Sequence, residues 1–254
     1  MLRLKIPMPI EQADKDFIKN QFPQVEGWCL DDAAYLTCCL LDAQLEAHLS
    51  GPSLEIGVYK GKYLSILYHR ALRANLRVVG IDTFNWSPRS EVTDKFSTIF
   101  GTLQGLYLHS ADSSTLDAAA LSVLLDGARA SFISVDGDHK APGVEADLRL
   151  TNQVLAEGGI IAIDDFLNPR AIGVSEGTYR FFLDPAETGL RPFAYCANKL
   201  FVACLEYHQP YRQAILSLVD EAPELTMVQE FRSLRTKGEH WVDMDLLGSK
   251  VLIL

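Results

Sequence analysis

The chain has 254 residues, 48% of them hydrophobic, and a formal net charge of −10. That length fits one elaborated domain or one domain with appendages, and the apolar share suffices for a substantial core. The acidic balance argues against nonspecific binding of nucleic acid or anionic membrane, but not against a small anion held by local Arg or Lys.

Residues 10–24 read as a charged helix followed by a turn at Pro23. A strong helical pattern then runs from Leu30 to about His48, with Asp31 as its expected N-cap and Gly51-Pro52 ending the segment. From there short apolar runs alternate with helical patterns. Strands are expected at 54–58, 77–82, 106–110, 131–135 and 159–163. Helices are expected at 63–74, 90–100, 116–125, 144–156 and around 173–183, with Gly158-Gly159 as a C-cap signal. Such alternation implies an α/β fold with a doubly wound, mostly parallel sheet and right-handed crossovers. Phe193–Cys196 and Lys199–Cys204 read as a closing hairpin with Ala197-Asn198 near its turn. A helix near 209–219 and a last strand at 250–254 complete the chain. The expected organisation is an N-terminal helical cap (1–50), a core (51–205) and a C-terminal extension (206–254).

Two apolar runs end abruptly in carboxylates. One leads into Asp136-Gly137-Asp138-His139, the other into Asp164-Asp165-Phe166. Acids at the carboxyl ends of parallel strands point into the crevice where open α/β sheets bind ligands. Four carboxylates and an imidazole there suggest a hard cation, a general base, or both. Glu55, Gly57 and Gly61 follow the first core strand and open a helix. The spacing lacks the three glycines of a dinucleotide fingerprint and is one residue short of a phosphate loop. A cationic ligand, S-adenosylmethionine, suits Glu55, Asp82 and Asp136 better than a phosphate would. Asp82 is placed to accept the ribose hydroxyls, and Asp112 to reach the adenine amino group.

Leu54–Gly61, Val79–Asp82, Val135–His139 and Gly158–Phe166 together resemble a class I S-adenosylmethionine-dependent methyltransferase. Within that superfamily the chain resembles the metal-dependent O-methyltransferases of natural-product sugars, typified by macrocin O-methyltransferase. Glu26-Gly27-Trp28 and Asn198-Lys199-Leu200-Phe201 add to the likeness, which spans roughly residues 26–205. The resemblance implies a seven-stranded Rossmann-like sheet in which the strand ending at Gly57 lies beside that ending at Asp136, with that ending at Asp164 next. It implies that Asp136, Asp164 and Asp165 ligate Mg²⁺ and that Asp138 is the base, with His139 as runner-up. Lys60 departs from the family pattern, where a small or polar residue is usual.

The expected function is therefore Mg²⁺-assisted methylation of a hydroxyl on a small molecule, a sugar or polyol of secondary metabolism. The rival readings are a metal-independent O- or N-methyltransferase and a noncatalytic cofactor-binding or assembly protein. No nucleic-acid or membrane partner is expected, and a homo-oligomer is left open. No apolar run reaches the roughly 18 residues of a membrane span. The first residues lack a signal peptide's apolar stretch. The five cysteines show no metal-ligand spacing. The expectation is a cytoplasmic chain with free thiols.

Overall fold

The computed structural model describes residues 4–8, 10–184 and 189–254. Helices α1 (Gln12–Asn20) and α2 (Asp31–Glu46) come first. The core then alternates β1 (Ser53–Ile56), α3 (Lys62–Ala74), β2 (Val78–Asp82), α4 (Arg89–Phe100), β3 (Leu106–Ser110), α5 (Ala118–Leu124), β4 (Ala130–Val135), α6 (Ala141–Val154) and β5 (Leu155–Ile163). After α7 (Ile172–Leu183) come β6 (Leu190–Cys196) and β7 (Lys199–Cys204), then α8 (Leu205–Glu221) and α9 (Thr226–Arg235). The pair β8 (Asp243–Leu246) and β9 (Ser249–Ile253) closes the order.

All these strands form one sheet in the order β3-β2-β1-β4-β5-β7-β6-β9-β8. The five strands from β3 to β5 are parallel, and β7 returns antiparallel beside β5. The winding reverses between β1 and β4, the place where such sheets open a crevice at their carboxyl edge. Strands β1, β2, β4 and β5 are buried on both faces, with alternate residues serving opposite sides, whereas the edge strand β3 is partly exposed. Phe132, Ile160 and Ala162 pack with α2, α3 and α8, whereas Ile133, Ile161 and Ile163 pack with α6 and α7. The N-terminal helices are fastened by a buried ion network. Asp14 of α1 receives His69 at 2.8 Å, Arg70 at 3.2 Å and Arg73 at 2.7 Å from α3.

The sheet has nine strands rather than seven. The pair β8–β9 adds to β6 in parallel, because Ala194 and Tyr195 register with Leu252 and Ile253. Asp243 and Asp245 give β8 a polar face that hides it from an apolar pattern. Its hairpin turns on Leu247 (φ 52°) and Gly248 (φ 72°). Helix α9 also escaped the pattern reading, although Met227, Val228 and Phe231 give it one buried face. Two local expectations are corrected. The N-cap of α2 is Leu30, and Asp31 is already helical. Gly158-Gly159 lie inside β5, where the register with β4 jumps from Ala130↔Leu155 to Phe132↔Ile160. They lie at this irregularity of the ladder, not at a helix cap, and Gly158 takes the left-handed conformation (φ 70°) there.

Candidate active site

The ends of β1, β2, β4 and β5 converge on the crevice. Gly57 has φ 87°, and a Cβ there would overlap the Asp136 backbone carbonyl. This glycine lets the end of β1 press against the end of β4. Gly61 (φ 83°) starts α3 against Val92 and the Phe96 ring of α4. Both glycines therefore answer to protein packing first, and they set the loop's shape through it.

Asp82 organises that loop. Its Oδ2 accepts from the Tyr59 amide at 2.8 Å and its Oδ1 from the Phe84 amide at 2.6 Å. Each carboxylate oxygen keeps a further lone pair for a ligand. Lys60 turns away from the crevice to pair with Glu26 at 2.7 Å. Trp28 stacks on Tyr59, with centroids 5.4 Å apart. Gly27 rests against Lys62, whose ammonium donates to the Phe22 carbonyl at 2.6 Å. Asp112 is exposed at the far side and caps its own turn by accepting from the Ser114 amide at 2.9 Å.

Glu55 is 1% exposed, and its Oε2 has no partner among the described residues. Burial, then the charge of Asp136, pushes its carboxyl well above the usual range. A buried acid left unpaired is an acceptor for a cationic ligand. The ammonium and sulfonium of S-adenosylmethionine fit that donor set.

Asp136, His139 and Asp165 bring ligand atoms within 4.8 Å of one another. His139 Nε2 lies 3.6 Å from Asp136 Oδ1 and 3.5 Å from Asp165 Oδ2. Consecutive strand residues point to opposite faces. The chain meets this constraint by leaving strand geometry. Asp164 still donates its amide to the Val135 carbonyl, and Asp165 then turns into the left-handed region at φ 55°. The Asn168 amide holds Asp165 Oδ1 at 2.6 Å. Removal from solvent, with the Asp164 charge next, pushes the Asp136 carboxyl up to about 7. Interaction with Asp136 holds His139 above the ordinary imidazole value, against the effect of burial. The set of hard oxygens around one opening suits a divalent cation.

Asp164 stays against Asp136 but has a further partner outside the group, whereas Asp138 stands apart from it. Asp164 Oδ1 pairs with Lys199 Nζ at 2.8 Å. Asp138 lies against Gly143 at the start of α6, and its Oδ1 accepts from the Lys140 amide at 3.3 Å. His139 is the residue of this turn whose ring lies near Asp136 and Asp165. Lys199 is the charged crevice residue to which the sequence pattern assigned no role. A lysine opening an otherwise apolar strand next to a turn was the available signal.

Residues 54–166 match the family model described as a methyltransferase domain. No curated protein matches the chain. Among solved structures, CalS11, a TDP-rhamnose 3'-O-methyltransferase of calicheamicin biosynthesis, is 19% identical with a TM-score of 0.52, over 77% of this chain and 87% of that one. The O-methyltransferase NovP is 12% identical with a TM-score of 0.57, over 66% of this chain and 77% of the other. The methyltransferase PaMTH1 of Podospora anserina, solved with S-adenosylhomocysteine, is 15% identical with a TM-score of 0.51, over 77% and 88%. At these identities the likeness is one of fold. The sheet order and the crevice are those of the Rossmann-like α/β fold shared with these neighbours, and residues 54–166 are similar to a methyltransferase domain. No helix of the described residues is long and apolar enough to cross a membrane.

Proposed function

We propose that the chain transfers a methyl group from S-adenosylmethionine to a hydroxyl of a small molecule, a sugar or polyol of secondary metabolism, with the help of Mg²⁺. The observation that carries this reading is the Asp136–His139–Asp165 group, set beside the buried, unpaired Glu55 at the switch point of the sheet. The names of CalS11 and NovP support an oxygen acceptor, and that of CalS11 a sugar.

Methyl transfer is an in-line displacement, so the protein must place the acceptor oxygen and take up its proton. Glu55 faces the cationic end of the cofactor, Asp82 takes the ribose hydroxyls, and Asp112 serves the adenine side. Asp136 and Asp165, with Asp164 beside Asp136, would hold the cation. Such an ion, when bound, lowers the pKa of a coordinated hydroxyl and fixes its direction. His139 accepts the proton at Nε2, since its imidazole faces both carboxylates while Asp138 is engaged with Lys140 and α6.

Turnover on a panel of free and nucleotide-linked sugars, before and after chelation, tests the reading. Chelation should abolish transfer and Mg²⁺ should restore it, with S-adenosylhomocysteine binding retained throughout. Full activity in chelator would replace this mechanism with a metal-independent one. Cofactor binding without transfer to any acceptor would favour a noncatalytic role.

A further inference from the structure

Helix α7 hides one side only. Val174, Gly177, Thr178 and Phe181 are buried. Gly173 and Gly177 bring the helix against the His139 and Ala141 carbonyls, where a Cβ would clash. The opposite side carries Ile172, Tyr179 and Leu183, exposed at 74%, 37% and 73%. Their spacing along the helix sets them within about 40° of one another around its axis, over about 16 Å of its length. Single exposed apolar residues need no explanation, but three in line on one helix make a stripe with no cover among the described residues. Between them stand Glu176 and Arg180, each about half exposed and paired at 2.5 Å.

The stripe is complementary to itself. Ile172 lies as far before the midpoint between Gly177 and Thr178 as Leu183 lies after it, and Glu176 stands in the same relation to Tyr179, with Arg180 next along. Two antiparallel α7 helices related by a two-fold axis at that height would set Ile172 of each copy level with Leu183 of the other, because every residue advances the helix equally. Glu176 of each copy would come within reach of the other's Arg180, so that the four charges close into a ring of alternating sign. We infer that a second copy of this chain docks on α7 about this two-fold, making a homodimer. The charges select this occupant: an unrelated apolar segment needs the stripe alone, whereas an acid and a base placed about the same midpoint as the apolar pair match a copy. Such a contact is isologous and closes at two chains. It is short, so the dimer belongs to the weak class. Docking would brace the helix that backs His139 and, through the Tyr179 ring at 6.0 Å from that of Phe166, the turn that carries Asp165.

Sedimentation velocity of the full chain from about 1 to about 300 μM tests this, a range that brackets the weak affinities of small interfaces. The unaltered chain should pass from monomer to dimer and no further. Ile172→Glu and Leu183→Lys each put an unpaired charge into the contact and should weaken association at least about tenfold. Both changes suit the helix, since an acid is favoured in its first turn and a base in its last, so the monomer fold should survive. Within one chain the two positions are about 16 Å apart along the helix, too far to pair. In the double variant Ile172→Glu/Leu183→Lys the new charges meet across the two-fold, and association should recover by about tenfold over either single variant. A monomer throughout the range, growth beyond the dimer, a dimer indifferent to both single variants, or a double variant no better than the single ones overturns the inference. If circular dichroism shows one single variant unfolded, the other single variant and the unaltered chain decide: association that is absent, or that the folded variant leaves unchanged, overturns it.

Discussion

Asp147 lies on α6 beneath the Asp136–His139 loop and is 2% exposed. Its Oδ2 has no partner among the described residues and faces the Gly137 backbone. Burial raises its carboxyl from 3.8 to about 6, opposed by a hydrogen bond from Ser113 and reinforced by the charges of Asp112 and Asp138. Because the folded pKa is the higher one, the folded state binds the extra proton between these values. The carboxyl is therefore harmless below the unfolded pKa, and its ionisation costs progressively more stability as the pH rises through 6. A shift of roughly two units corresponds to about 3 kcal/mol at pH 8 and about 1 kcal/mol at pH 4.5. Asp147→Asn removes the charge and keeps an acceptor for Ser113. Its amide still lacks one partner, which takes back about 1 kcal/mol at either pH. The variant should be more stable than the unaltered chain at pH 8, and the advantage should shrink by about 2 kcal/mol at pH 4.5. Urea unfolding at the two pH values, followed by circular dichroism, measures both quantities. A variant equally destabilised at pH 4.5 and pH 8 would refute the reasoning, because it would show a carboxylate that the fold uses in its ionised form.

Asp82→Ala should leave the sheet intact and weaken S-adenosylhomocysteine binding about tenfold or more, since hydrogen bonds to a charged acceptor contribute about 1.5–3 kcal/mol each; calorimetry reads this, and unchanged affinity would remove Asp82 from the cofactor site. Gly57→Val should lower stability by about 3 kcal/mol or more, because a side chain there meets the Asp136 backbone at a positive φ. A thermal melt near that of the unaltered chain would show that the β1–β4 approach is not tight. His139→Gln should slow transfer by about 10²–10⁴-fold with cation and cofactor binding retained, whereas Asp138→Asn should change the rate little. Equal losses in single-turnover assays would return the proton-accepting role to Asp138.

Much of the sheet was legible because its inner strands are buried on both faces, and apolar runs such as Phe132–Val135 and Ile160–Ile163 have few other readings. The carboxylates were legible for a related reason: an acid ending an apolar run has to face solvent or a ligand. The partition among those acids was not. It depends on the left-handed turn at Asp165, on the cross-strand pairing of Asp164 with Lys199, and on the Gly143 contact that draws Asp138 to α6. None of these has a signature in the spacing of the motif. The Gly57 and Gly61 pattern was read as room for a ligand, whereas both positions are crowded by protein atoms. Strand β8 was hidden because an edge strand with alternating aspartates looks like solvated loop.

The fastening of the glycine loop to residues 22–28 has a consequence for how the molecule divides. The Glu26–Lys60 pair, the Trp28–Tyr59 stack and the Lys62–Phe22 link join that loop to chain lying well upstream of the sheet. A shortened chain beginning at residue 51 would keep every acid of the crevice and lose all three fastenings. A ligand that orders the Gly57–Gly61 loop should therefore also slow amide exchange in residues 22–28.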